Sequence, residues 1–171
     1  MVECGAGRVL GDHMTNLGNV VAIDPGARYF AYAIYHRGEL THAGYSASDR
    51  VDSIPLIPGN RYEWIMEKPR KYRAFEKAHA DLDRLLATLK RIKKLADERD
   101  EVVTEVAPSA WKGQVPKKVH HERLWPRYTK KEQAVLVAPP GTEGYAHDVH
   151  DASALGAGYI GRVGRGGTEC G

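Results

Sequence analysis

Four consecutive apolar residues, Val20-Val21-Ala22-Ile23, run straight into Asp24-Pro25-Gly26. A strand with one wet face alternates apolar and polar side chains, whereas a strand apolar at every position has no wet face. The run therefore reads as a buried central strand, and Asp-Pro-Gly as the turn that stops it. Such a strand needs neighbours beside it and elements packed over it, which directs the reading of the rest of the chain.

Residues 29–35 are rich in aromatic and β-branched side chains, and residues 39–45 can pair with them across a turn near Arg37-Gly38. With the first strand they predict a three-stranded antiparallel meander. Residues 46–61 carry Ser, Asp, two prolines and Gly-Asn, a loop or at most a short helix. Residues 62–66 form the next predicted strand, with Glu67 at its end and Pro69 to stop it. From 72 to 98 there is no Gly or Pro, and Leu82, Leu85, Leu86, Leu89, Ile92 and Leu95 recur at three- and four-residue steps. That spacing predicts an amphipathic scaffold helix whose opposite face carries Arg84, Lys90, Arg91, Lys94 and Glu98. A fifth strand is expected over 101–106. Helices follow over 116–124, 130–137 and, after a turn at Pro139-Pro140-Gly141, 147–160. This order describes an α/β fold with a mixed five-stranded sheet, three antiparallel strands then two parallel, flanked by helices. A length of 171 residues suits one such domain, expected over 19–160, between a flexible leader (1–18) and a Gly-rich disordered tail (161–171).

Several classes are excluded. No apolar run approaches the ~18 residues of a membrane span, and no basic stretch followed by an apolar one marks a secretory signal. Cys4 and Cys170 stand near opposite ends with no close Cys or His partners at zinc-site spacing, so free thiols in a reducing cytoplasm are expected. The glycines from Gly5 to Gly11 follow no strand, so they lack the context of a dinucleotide fingerprint. The net charge of +3 is modest, but its distribution is uneven. Lys68, Arg70, Lys71 and Arg73 crowd one segment. Lys112, Lys117, Lys118, Arg123, Arg127, Lys130 and Lys131 crowd another, against Glu122 alone. Either run by itself fits a solvated face; beside candidate catalytic carboxylates they point to a phosphate backbone.

Four such carboxylates stand out by position. Asp24 ends the first strand and Glu67 the fourth, while Asp148 and Asp151 sit three apart on the last helix, on one face. If the two strands are neighbours and the helix packs across them, all four converge. Each has a plainer reading alone: Asp24 as a turn former, Glu67 as an ion-pair member, Asp148 and Asp151 as acids favoured at a helix start. Together, in a dry site, they repel and call for a divalent cation. Hard oxygen ligands favour Mg²⁺ or Mn²⁺ over zinc, and two ions roughly 4 Å apart suit in-line phosphodiester hydrolysis. His147 and His150 flank the aspartates, placed to orient them, to assist proton transfer, or simply to face solvent.

Ile23-Asp24-Pro25-Gly26 resembles the first-strand motif of the RuvC family of Holliday-junction resolvases. Ile65-Met66-Glu67-Lys68-Pro69 resembles that family's fourth-strand glutamate motif. Asp148-Val149-His150-Asp151-Ala152-Ser153-Ala154-Leu155 is similar to its C-terminal Asp-x-x-Asp-Ala-x-Ala-Leu signature. The stretch from Ala110-Trp111-Lys112 to Lys117-Lys118-Val119 resembles its lysine-bearing segment. The resemblance spans roughly residues 20 to 160. It implies an RNase H-like fold, a homodimer in the cytoplasm of a bacterium or a phage-infected host, and Mg²⁺-dependent paired nicking of four-way or other branched DNA. It also implies two ions per site held by Asp24, Glu67, Asp148 and Asp151, with catalytic help from Lys112 and Lys118. Lys68, Arg70, Lys71, Tyr72, Arg73, Lys112, Lys117 and Lys118 are the implied DNA contacts.

The chain departs from the family pattern in two places. Arg70 stands where family members often carry a wedge aromatic, with Tyr72 and Phe75 the nearest candidates to replace it. The stretch between the third and fourth strands is also short, as in phage-type members, which implies a wider range of branched substrates. Other readings are an RNase H or branch-insensitive nuclease, an inactive DNA-binding module, and an actin-like or sugar-kinase ATPase, for which 171 residues are too few.

Overall fold

The computed structural model describes residues 18–68, 79–112, 116–136 and 146–161. The strands are β1 (Asn19–Asp24), β2 (Tyr29–His36), β3 (Glu39–Ala47), β4 (Tyr62–Glu67) and β5 (Val103–Val106). The helices are α1 (His79–Asp97), α2 (Pro108–Lys112), α3 (Lys117–Leu124), α4 (Lys130–Val135) and α5 (Ala146–Tyr159). Single 3₁₀ turns lie at Val51–Ser53 and Trp125–Arg127. Among the described residues the strands form one sheet in the order β3-β2-β1-β4-β5. β1 pairs antiparallel with β2 and parallel with β4; β2–β3 is antiparallel and β4–β5 parallel. This is the mixed five-stranded sheet expected from the sequence.

The apolar run of β1 is explained by the two cores it separates. Val20 and Ala22 face one core, with Ala31, Ala33, Tyr35 and Ile65 of the sheet and Val149, Ala152 and Leu155 of α5. Val21 and Ile23 face the other, with Phe30, Ile34, Trp64 and Met66 and with Leu89, Ile92 and Ala96 of α1. A period of two thus sends alternate side chains to opposite layers, and both layers are covered. Leu124, Tyr128 and Leu136 extend the α5 side of the core. There the buried Glu132 accepts bonds from Leu40 N and from Thr129 N, tying α4 to β3.

Three details differ from the sequence expectation, the first being α2, a five-residue helix where none was expected. Leu86, on the predicted apolar face of α1, is 46% exposed, and the buried stripe runs through Thr88, Leu89, Ile92 and Ala96 instead. Thr88 is accommodated because its hydroxyl donates to Arg84 O at 3.0 Å. Residues 101–102 lie before β5 rather than within it. The Glu101 carboxylate accepts from Tyr62 N (2.9 Å), Trp64 Nε1 (2.7 Å) and Arg99 Nε (2.9 Å), so this residue buckles the start of β5 onto β4 through its side chain. Residues 1–17 of the predicted leader, the tail from 162 onward, the turn at 139–141 and the segment 69–78 lie outside the described residues. No helix among the described residues is long and apolar enough to cross a membrane.

Candidate metal centre

Alternation along β1 decides where its last side chain goes. Asp24 continues the series Val20, Ala22 and so emerges on the α5 side of the sheet. The Pro25-Gly26 turn follows at once. A Cβ at Gly26 would collide with the Tyr29 carbonyl, so the chain can fold back tightly only with glycine there.

On the opposing layer, α5 approaches the sheet closely through two small residues one turn apart, Ala152 and Gly156. A Cβ at Gly156 would run into the Tyr35 ring and crowd Ala22 Cβ at 3.2 Å. Tyr35 Oη donates to Ser153 O at 2.7 Å, and the Tyr128 hydroxyl meets Ser153 Oγ, which pins the middle of the helix. With Gly156 resting on β1 and β2, the earlier turns of α5 carry Asp148 and Asp151 to Asp24. One carboxylate oxygen from each of the three lies within 4.8 Å of the others. Asp151 is 2% exposed, and Asp24 and Asp148 are half-buried.

Three carboxylates at that separation repel by roughly 3 kcal/mol per ionised pair at an effective dielectric near 20. A divalent cation removes the penalty, and an all-oxygen donor set matches Mg²⁺ or Mn²⁺. The donor chemistry and the converging geometry therefore fit such an ion.

Glu67 ends β4 beside Asp24, since Ile23 pairs with Met66 in the parallel register. It follows Ile65 by two and thus shares the α5 side of the sheet. It is not a member of the close trio. Trp111 Nε1 of α2 donates to Glu67 Oε2 at 3.1 Å, and the Trp111 ring packs edge-on against His120 of α3 at 5.3 Å.

A further pairing escaped the sequence reading. His121 Nε2 of α3 is 2.8 Å from Asp151 Oδ1. Its ring lies 5.4 Å from that of His150, which in turn meets Trp125 edge-on at 5.9 Å. Burial, then the nearby His121, hold His150 below the usual histidine range, with Asp151 opposing them. The one local signal for His121 is the pair His120-His121 within the basic 112–131 segment.

Of the other candidate residues, Lys68 follows β4 and is exposed. Lys112 ends α2, and Lys117 and Lys118 open α3, so the backbone carries all three into the layer that holds Trp111 and His121; their side chains lie outside the described residues, as does that of His147. Arg70, Lys71, Tyr72, Arg73 and Phe75 also lie outside them.

No protein-family model matches the sequence, and no curated protein matches it. Solved structures do share its fold. Thermus thermophilus RuvC in complex with a Holliday junction substrate superposes with a TM-score of 0.59 at 16% identity, covering 86% of this chain and 96% of that one. A second structure of Thermus thermophilus RuvC gives 0.58 at 17% identity, covering 84% and 95%. The chain therefore carries the RNase H-like fold of RuvC, a mixed five-stranded sheet flanked by helices.

Proposed function

We propose that this protein is a Mg²⁺-dependent, structure-selective DNA endonuclease that resolves four-way junctions and related branched DNA. The observation that carries the proposal is the convergence of Asp24, Asp148 and Asp151 from β1 and α5 on the fold of RuvC, one of whose structures holds a Holliday junction substrate.

In this reading Asp24, Asp148 and Asp151 hold the cation, and Glu67, one strand over, completes the set for two ions per site. When bound, Mg²⁺, or Mn²⁺ in its place, would supply Lewis-acid activation of water and stabilisation of the departing 3′ oxygen. The protein's own part is to fix four acidic side chains on rigid elements. Two come from adjacent parallel strand ends and two from a helix locked to the sheet through Tyr35 and Ser153. Burial of Asp151 keeps water from competing for its carboxylate. Lys112, Lys117 and Lys118 approach from α2 and α3 to contact phosphates, and Lys68 and the basic residues after it hold the neighbouring backbone without reading sequence. Hydrolysis leaves a 5′-phosphate and a 3′-hydroxyl. A two-fold homodimer presents two such sites to symmetry-related strands of a junction.

A panel of labelled four-way junction, flap, linear duplex and RNA–DNA hybrid, each with Mg²⁺ or with chelator, tests the substrate class. Paired nicks in the junction that require Mg²⁺ are expected, with flaps cut as well. Cleavage of the hybrid in preference to every branched DNA would move the assignment to an RNase H, and no cleavage of any substrate would overturn it.

A further inference from the structure

His121 lies outside the acidic trio yet touches its most buried member. His121 Nε2 lies 2.8 Å from Asp151 Oδ1, and a carboxylate ionised to serve a cation can only accept at that contact, with Nε2–H as its donor. The pair is shielded, with His121 18% and Asp151 2% exposed at their side chains. The imidazole packs on His150, itself met edge-on by Trp125.

This bond is not what docks the two helices. Leu124 and Tyr128 already anchor the α3 end in the core, and Val149, Ala152 and Leu155 anchor α5. What the bond adds is orientation of one carboxylate. Resting on the metal-site reading above, we propose that His121 is a positioning residue that holds Asp151 for the divalent cation. Asp151 has two carboxylate oxygens, so one can stay bonded to His121 while the other serves the ion. A donor fixed on a ligand in this way lowers the cost of ordering that ligand when the ion binds.

The test is Mn²⁺ binding to the DNA-free protein, read by electron paramagnetic resonance as loss of the free-ion signal. Wild type, H121A and H121Q are compared, and thermal unfolding without metal is followed alongside. Glutamine retains an N–H at similar reach. H121A should bind Mn²⁺ about 10- to 100-fold more weakly, with H121Q within about threefold of wild type. The metal-free unfolding temperatures should stay close together. Equal binding by wild type and H121A would overturn the positioning role while leaving the metal site standing. Failure of the wild type to bind Mn²⁺ would overturn the metal site itself and the proposal with it. A weakening that H121Q does not recover, or that follows a fall in unfolding temperature, would make His121 a packing residue and equally overturn it. Should H121A not fold, H121F decides, since its ring fills the same space without an N–H: a tenfold loss that H121Q does not share supports the role, and wild-type affinity overturns it.

Discussion

Two ring N–H groups, from the two short helices that follow β5, hold acidic side chains of the candidate centre. Trp111 donates to Glu67 and His121 is bonded to Asp151. Their partners are 44 and 30 positions away in the chain, and pairs at such separation leave no local pattern. The aspartates were easier to find. Asp24 is a charge at the end of an apolar run, and Asp148 and Asp151 share a helix face, so each is marked by its own neighbours. Trp111→Phe separates hydrogen bonding from packing, since an aromatic ring remains against His120 and only the indole N–H is removed. If Glu67 serves the cation, single-turnover junction cleavage should slow by roughly tenfold or more with a small change in unfolding temperature. An unchanged rate would remove Glu67 from the ligand set or Trp111 from its support.

At the level of elements, α5 is the part that makes the site. Its buried middle, not its acidic start, sets how near Asp148 and Asp151 come to Asp24. Gly156→Ala should raise intrinsic helix propensity by about 0.5–1 kcal/mol, yet the added Cβ collides with Tyr35 and Ala22. Overpacking of this kind costs about 1–3 kcal/mol, so a net loss of stability is expected in thermal unfolding, together with weaker Mn²⁺ binding as the helix lifts. A stabilised variant with intact binding would show that the close approach is not required. The strands were legible because burial on two faces writes a continuous apolar run and a single wet face writes alternation. α1 was legible in kind but not in its face: Leu86 satisfies the periodicity and still faces solvent, while Thr88 is buried through a bond to the turn before it. The side-chain pairing of Glu101 with β4 likewise carries no periodic signal, which is why β5 begins later than its sequence suggests.

For the whole molecule, the sheet order places the ends of two parallel strands side by side at its centre, and the acidic cluster sits where they meet α5. The backbone of α2 and α3 carries Lys112, Lys117 and Lys118 into the same layer, which under the proposed function sets them along the DNA backbone. Replacing Lys117 and Lys118 with Ala should make the dependence of log affinity on log salt shallower, by about 0.9 for each duplex phosphate that is no longer neutralised. An unchanged slope in titrations across salt would place those lysines away from the DNA.

Whether the aspartate cluster holds the divalent cation for cutting branched DNA is decided by Asp151→Asn. Single-turnover cleavage of a four-way junction would be followed across a Mg²⁺ titration, with junction affinity measured in parallel. Saturable, chelator-sensitive paired nicking is expected of the wild type. The variant should lose roughly a thousandfold or more, about 4 kcal/mol of transition-state stabilisation, at unchanged junction affinity. Cleavage by D151N at the wild-type rate, or by the wild type in chelator, would overturn the assignment.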